Sequence, residues 1–124
     1  MPWSDKQHPE YELIEMVYKG CITLDDMNSA GMKTKAVAEE LGINRFLLDL
    51  NDVEAFDVST FDLYDRPEQW RGLRAKSKNR LALHVPDSKE IMKAARFYET
   101  VCRNRGWNVQ IFSQRQEAID WLMT

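Results

Sequence analysis

The feature that most constrains this chain is the apolar run RFLLDL at Arg45–Leu50, which leads through an acidic stretch to a helix start. The run has no polar face over several residues, which is typical of a central β-strand that other elements cover on both sides. In an open α/β sheet, the ligand or modification site usually lies just beyond the C-terminal end of such a strand. Asp57, Ser59 and Thr60 occupy that place here.

Hydrophobic periodicity predicts further strands and helices around this run. The predicted strands are Tyr11–Tyr18, Cys21–Thr23, Arg45–Leu50, Arg80–Val85 and Trp107–Phe112. The predicted helices are Leu24–Leu41, two short helices within Val58–Leu73, a long helix that Ser88 or Asp87 caps and that ends at Asn104, and a last helix that begins at a Ser113–Gln116 capping box. Thr23 and Asp26 have the spacing of a capping box at the first helix. Pro67 explains the break between the short helices, since proline is tolerated only in a first helical turn.

These elements predict an α/β fold with a mixed central sheet of about five strands and about four helices. The short Lys19-Gly20 segment predicts an antiparallel opening hairpin. The remaining strands are separated by helices, and such crossovers place the last three strands parallel. We therefore expect one domain at residues 10–124, preceded by a flexible N-terminal tail at residues 1–9.

Length and charge exclude several classes of protein. A chain of 124 residues fits one domain and can form a core without metal or disulfide staples. Its net charge of -3 argues against a nucleic-acid binder. We expect no transmembrane segment, because no apolar run approaches the roughly 20 residues of a membrane helix. The start lacks the hydrophobic core of a signal peptide, so we expect a cytoplasmic protein. Cys21 and Cys102 lack CxxC spacing, which indicates two reduced, buried thiols.

Motifs spread over nearly the whole chain resemble a known family. DLNDVEAFDVSTF at Asp49–Phe61 resembles the signature of the STAS superfamily, the sulfate transporter and anti-sigma factor antagonist domains. GCITLDDM at Gly20–Met27 and the later order of strand, helix, strand and closing helix are similar to its SpoIIAA-like, STAS/SEC14-type branch. The resemblance implies a STAS-like fold and a non-catalytic regulatory or protein-interaction function.

The resemblance also implies a site at the helix start. In anti-sigma factor antagonists a phosphorylated serine lies two residues after the motif aspartate, and this position matches Ser59, after Asp57. The chain departs from the motif at Val58, where the family has a first serine, and at Thr60, where it has a glycine. Residue types such as Asp, Ser and Thr also serve simply to bond helix-start amides. The two roles stay open for Asp57, Ser59 and Thr60.

Other candidate sites are weaker. The acids Asp49, Asp52, Glu54 and Asp57 carry oxygen ligands that suit magnesium or calcium, but the stretch lacks the glycine and spacing of a calcium loop, and acids in turns are usually solvated or capping. We therefore expect no metal site. The chain has no glycine-rich phosphate loop, and we expect no cofactor.

The chain offers no catalytic constellation. His8 lies in the predicted tail and His84 inside a predicted strand, so no nucleophile, base and orienting group come together, and we expect no enzyme. For His84 a structural or solvent-facing role is favoured.

A basic run gives a candidate surface at Arg71, Arg74, Lys76 and Lys78, although such a run is usually a solvated helix end. We expect another protein as the partner. The alternative is a carrier or sensor of a small apolar or lipid-like ligand, which the kinship of this family with SEC14-type lipid-binding domains implies. The oligomeric state, a homodimer included, stays open.

Overall fold

The computed structural model describes residues 2–65 and 79–124. Within them, five strands and four helices form the predicted mixed α/β fold, which confirms the fold class. Their order is β1 (Trp3–His8), β2 (Leu13–Thr23), α1 (Leu24–Leu41), β3 (Arg45–Asp57), α2 (Thr60–Asp65), β4 (Arg80–His84), α3 (Lys89–Asn104), β5 (Asn108–Phe112) and α4 (Arg115–Leu122). The rest of the two short helices predicted within Val58–Leu73, and the break at Pro67, lie outside the described residues.

The strands form one sheet in the order β1-β2-β3-β4-β5. β1 is antiparallel to β2, and every other neighbouring pair is parallel. The predicted central strand is confirmed, because β3 is the middle strand and both Phe46 and Leu47 are buried. These neighbours point to opposite faces of the sheet, and each belongs to a different apolar cluster.

The two faces of the sheet are covered unequally. On one face, residues of α1, α2 and α3 pack with Phe46 in the larger apolar cluster. On the other face, α4 packs on Leu47 through Ala118, Ile119 and Leu122. We call the first the three-helix face and the second the α4 face. The α4 face has room for polar groups, because an eight-residue helix cannot cover five strands.

The structure corrects the predicted tail, because residues Trp3–His8 form β1 at one edge of the sheet. Backbone pairing with β2 holds the strand, and Thr34 of α1 donates a hydrogen bond to Asp5 at 2.9 Å. The sequence gives little sign of this strand, since none of its residues is buried. Backbone pairing with β2, the bond between Thr34 and Asp5, and the packing of Trp3 against the larger apolar cluster order the strand.

The predicted opening hairpin is also corrected. The turn lies at residues 9–12, between β1 and β2, where Tyr11 N–H bonds the carbonyl of His8 at 3.1 Å. The segment Lys19-Gly20 instead continues β2 through an irregular register. Gly20 has φ of +72°, a conformation that glycine adopts at bulges as readily as at turns.

The acidic stretch that we predicted as a turn is the second half of β3. The pairing of β3 with β4 ends at Asp49, and from there to Asp57 β3 pairs with β2 alone. At each of two register shifts in this pairing, β3 has one residue more than β2. Val53 stays buried in this two-stranded extension. Cys21 lies there too and is exposed, contrary to the prediction, whereas Cys102 is buried.

The helix ends follow local sequence with one exception. The Thr23–Asp26 capping box is present at α1, and Ser88 caps α3. The predicted capping box at α4 is absent, because its N-cap is Gln114 and makes no side-chain capping bond. The next residue, Arg115, points its guanidinium to the sheet instead.

Candidate functional site

The helix start lies at the C-terminal end of β3, as the sequence predicted. Asp57 is the last residue of β3, and Thr60 is the first of α2. Ser59 between them accepts a hydrogen bond on Oγ from Asp62 N–H at 3.1 Å, so it caps the helix. Asp57, Ser59 and Thr60 are all exposed, and the structure therefore places the three candidates together on an accessible surface.

Two aromatic side chains extend this surface, and the sequence analysis missed them. Phe61 is 71% exposed and Tyr64 is 52% exposed, and residues three apart lie side by side on a helix. Leu63 between them is buried in the core and fixes which side of α2 faces outwards. The sequence TFDLYD contains both aromatic residues, but six residues are too few for a helical period to show which of its apolar side chains face outwards.

Charged groups surround the aromatic pair. The Arg105 guanidinium lies 4.6 Å from the centre of the Tyr64 ring, a cation–π distance. Among acids, Glu54, Asp57 and Asp65 are exposed near or on α2. The candidate basic surface at Arg71, Arg74, Lys76 and Lys78 lies outside the described residues.

The acids once considered as metal ligands do not converge. Asp49 faces the α4 face and lies 3.7 Å from His84 Nδ1, whereas Asp52, Glu54 and Asp57 are exposed along the extension of β3. Over residues 2–65 and 79–124, no group of three or more His, Cys, Asp or Glu side chains is placed to hold a metal ion.

A buried carboxylate lies on the α4 face. Glu15 of β2 is only 4% exposed. Its Oε1 lies 2.8 Å from His8 Nε2 and accepts a hydrogen bond from Arg115 Nη2 at 2.9 Å, while Arg115 Nη1 bonds Oε2. The carboxylate thus joins β1, β2 and the first residue of α4.

These partners set the charge of Glu15. Burial opposes the ionised form, but the hydrogen bonds from Arg115 and His8 outweigh it and hold the pKa of Glu15 below its ordinary value. The same contact raises the pKa of Arg115. The cluster therefore acts as a fixed ion pair, in which both charges are satisfied.

His84 contacts polar side chains of β3. It is buried on β4, and Asn51 Nδ2 lies 2.8 Å from its Nδ1. Asp49 Oδ1 accepts from the backbone N–H of Asn51 at 3.0 Å, at the first register shift of β3. The imidazole therefore contacts an amide and lies 3.7 Å from a carboxylate.

An apolar cleft lies on the three-helix face. It has a volume of about 40 Å³ between α1, α2 and α3 above the middle of the sheet. Its lining is Met16, Tyr18, Met27, Leu48, Leu50, Phe56, Leu63, Leu81, Leu83, Ala94, Ala95 and Tyr98. The lining is apolar, but the volume is far below the roughly 300 Å³ of a typical ligand pocket, so α3 would have to move away from the sheet to admit a ligand.

Structure comparison identifies the fold. An uncharacterised protein of the DUF3478 family from Shewanella loihica PV-4, with a SpoIIAA-like fold, matches with a TM-score of 0.59 and 17% identity over 97% of this chain and 91% of that chain. The anti-sigma factor antagonist SpoIIAA in its unphosphorylated form matches with a TM-score of 0.61 and 13% identity over 97% of this chain and 96% of that chain. The chain has a SpoIIAA-like fold, which confirms the resemblance at the level of structure.

The sequence comparisons add no closer relative. No protein-family profile matches the chain, and no curated protein matches it. Within the described part of the chain, no helix is long and apolar enough to cross a membrane.

Glu15 gives a prediction for stability against pH. Glu15→Gln should lower the free energy of unfolding by about 1.5 to 3 kcal/mol at pH 7, the cost of losing hydrogen bonds to charged groups. Since the folded-state pKa is lowered, this contribution is present above the ordinary value of 4.5 and is lost as the pH falls through the folded-state pKa. Urea unfolding of both proteins at several pH values between 7 and 3 measures the difference.

The matched control is Glu54→Gln, which removes an exposed carboxylate from β3. It should change the free energy of unfolding by less than about 0.5 kcal/mol at every pH. A difference between wild type and Glu15→Gln that is as large at pH 3 as at pH 7 would contradict the lowered pKa.

Proposed function

We propose that this SpoIIAA-like domain is a non-catalytic regulatory module that binds another protein through the surface at the start of α2. We call this the α2 surface and define it by Asp57, Ser59, Thr60, Phe61 and Tyr64. The similarity to an anti-sigma factor antagonist supports a regulatory role, since such a protein acts by association.

The exposed pair Phe61 and Tyr64 carries the proposal. Single exposed apolar residues are ordinary on a protein surface, but adjacent ones mark interaction sites. Aromatic side chains are also enriched at the centre of protein interfaces and among the residues that dominate binding energy. The pair lies one helical turn apart, next to the exposed hydroxyls of Ser59 and Thr60.

Ser59 is the proposed control point of the α2 surface. Its exposed hydroxyl follows Asp57, as the family resemblance requires. A phosphate there would add about -1.5 to -2 charge units beside the exposed carboxylate of Asp57. The added negative charge would change which charged groups of a partner can lie against the α2 surface, because like charges at an interface repel.

The absence of catalysis forms part of the proposal. His8 contacts the carboxylate of Glu15, and His84 contacts the amide of Asn51 and lies 3.7 Å from the carboxylate of Asp49. A carboxylate beside a histidine also occurs in catalytic triads, but a general base needs in addition a hydroxyl, a thiol or a water within reach of its free nitrogen. The contacts of both rings with carboxylates and an amide support a structural use.

The apolar cleft supports a second candidate function, a carrier or sensor of a small apolar or lipid-like ligand. Ala94 and Ala95 of α3 form part of its wall, and their small side chains leave space between α3 and the sheet. A small ligand would bind inside the three-helix face, whereas a protein partner would bind to the outer side of α2. Substitutions at the two places therefore distinguish the two candidate functions.

We predict that Phe61→Ser with Tyr64→Ser abolishes recovery of the partner. The tagged domain is mixed with host lysate, and proteins that wild type retains are quantified by mass spectrometry. Loss of two interface aromatics should weaken binding at least tenfold, since each truncation at an interface hot spot costs 2 kcal/mol or more. Thermal stability should fall only slightly, because Phe61 is largely exposed and the loss of the contact between Tyr64 and Arg105 should cost about 0.5 to 1 kcal/mol.

The matched control is Met32→Ser, which removes an equally exposed side chain, 73%, from α1. It should leave recovery unchanged. Equal recovery with wild type and the Phe61, Tyr64 variant would refute the α2 surface as the binding site.

Substitutions at Ser59 distinguish regulation from capping. Ser59→Ala should cost about 0.5 to 2 kcal/mol through the lost cap. Ser59→Asp keeps a capping acceptor and should leave stability nearly unchanged, but it should change partner recovery through its charge. Melting curves and the same pull-down measure both effects. If Ser59→Asp recovers the partner as wild type does, Ser59 is a cap only.

For the second candidate, we predict that Ala94→Leu narrows the apolar cleft and weakens binding of a long-chain fatty acid with a fluorescent group. Ala94 is a partly buried residue of the cleft wall, and the control is Met32→Leu on the exposed side of α1. Circular dichroism verifies the fold of each variant. Wild-type protein that shows no saturable binding would exclude this candidate.

A further inference from the structure

β5 is an edge strand, and side chains of α3 bond two of its outward backbone groups. It is the last strand of the sheet, and an edge strand presents unpaired N–H and C=O groups that attract other chains. The carbonyl of Phe112 accepts from Val85 N–H at 3.0 Å, so Phe112 bonds towards β4. Since alternate residues of a strand bond to opposite sides, Val109 and Ile111 point their backbone groups away from the sheet.

Two side chains of α3 bond these outward groups. Arg103 Nε donates to the carbonyl of Val109 at 2.7 Å. Glu99 Oε2 accepts from the N–H of Ile111 at 3.0 Å. Glu99 and Arg103 are one helical turn apart and lie 3.9 Å from each other, Oε2 to Nη2, so the two charged groups meet at the edge of β5.

The pair reproduces the bonds that a neighbouring strand would make. In a parallel sheet, a residue of the neighbouring strand makes two hydrogen bonds to the strand beside it. Its N–H donates to the carbonyl of the residue that precedes the one opposite, and its carbonyl accepts from the N–H of the residue that follows the one opposite. Opposite Gln110, these two groups are the Val109 carbonyl and the Ile111 N–H. Arg103 supplies the donor and Glu99 the acceptor, at hydrogen-bond distances.

We propose that Glu99 and Arg103 form a plug on the β5 edge, which prevents this edge from pairing with the edge of a second copy of the chain. The role is independent of the proposed partner surface at α2. The opposite edge has a different protection: β1 is flanked by Pro2 and Pro9 and carries an exposed Lys6, features that blunt edge strands in natural proteins.

Removal of the plug tests the proposal. Glu99→Ala with Arg103→Ala leaves net charge unchanged and frees both backbone groups. We expect this variant to self-associate in a concentration-dependent manner by light scattering coupled to gel filtration, at concentrations where wild type does not change its mass. The matched control is Glu90→Ala with Lys93→Ala, two exposed residues of the same helix, which should behave as wild type.

The conservative variant separates hydrogen bonding from charge. Glu99→Gln keeps an acceptor for Ile111 N–H, and we expect it to keep the wild-type mass. The proposal would be overturned if Glu99→Ala with Arg103→Ala is folded by circular dichroism and retains the mass of wild type up to about millimolar concentration.

Amide exchange tests the plug without any variant. In wild type, the Ile111 N–H should exchange with deuterium at least tenfold more slowly than an unprotected amide, although no neighbouring strand covers it. If the double variant does not fold, Glu99→Ala and Arg103→Ala are measured singly by light scattering in the same way. Fast exchange of Ile111 in folded wild type would overturn the proposal, because the N–H would then be free.

Discussion

The buried carboxylate of Glu15 is the interaction on which the arrangement of the α4 face depends. A buried charge is costly unless it is paired and hydrogen-bonded, and this one needs His8 from β1 and Arg115 from α4. The requirement orders β1 against β2 and sets where α4 begins. It also explains why α4 starts without a side-chain cap, since the first residue of the helix reaches towards the sheet.

Local signals in the sequence were sufficient for the first half of β3 and for α1. The apolar run at Arg45–Leu50 and the capping box of Thr23 and Asp26 depend on residues close together in the chain. β1 could not be predicted in this way, because no apolar pattern marks the strand and Thr34, the partner of Asp5, lies 29 residues further along the chain. The continuation of β2 through Gly20 could not be predicted for a similar reason. Lys19-Gly20 by itself indicates a turn, and only the pairing with β3, which lies further along the chain, shows that the strand continues.

The position of the candidate site was predictable, but its shape was not. In an open α/β sheet a site usually lies beyond the C-terminal end of a central parallel strand, and the helix start that follows was marked by Asp57, Ser59 and Thr60, although the strand was predicted to end at Leu50 and runs to Asp57. The outward direction of Phe61 and Tyr64 depends on Leu63, which packs into the core, and six residues of α2 are too few for a helical period to show. The chemistry of the α2 surface therefore became visible only in three dimensions.

The edges and the helix surface together limit how this domain can associate. With Glu99 and Arg103 bonded to β5, and β1 flanked by prolines and carrying Lys6, the two outer strands of the sheet are protected against pairing with an added strand. The proposed association through side chains at the α2 surface needs no free strand edge, and side-chain contacts are specific to sequence, whereas backbone pairing accepts any extended segment. A switch at Ser59 would act on such contacts directly, because one added charge changes a small aromatic interface more than it changes a ladder of backbone hydrogen bonds. A plugged edge and a charge-controlled helix surface are thus consistent with reversible binding to one partner.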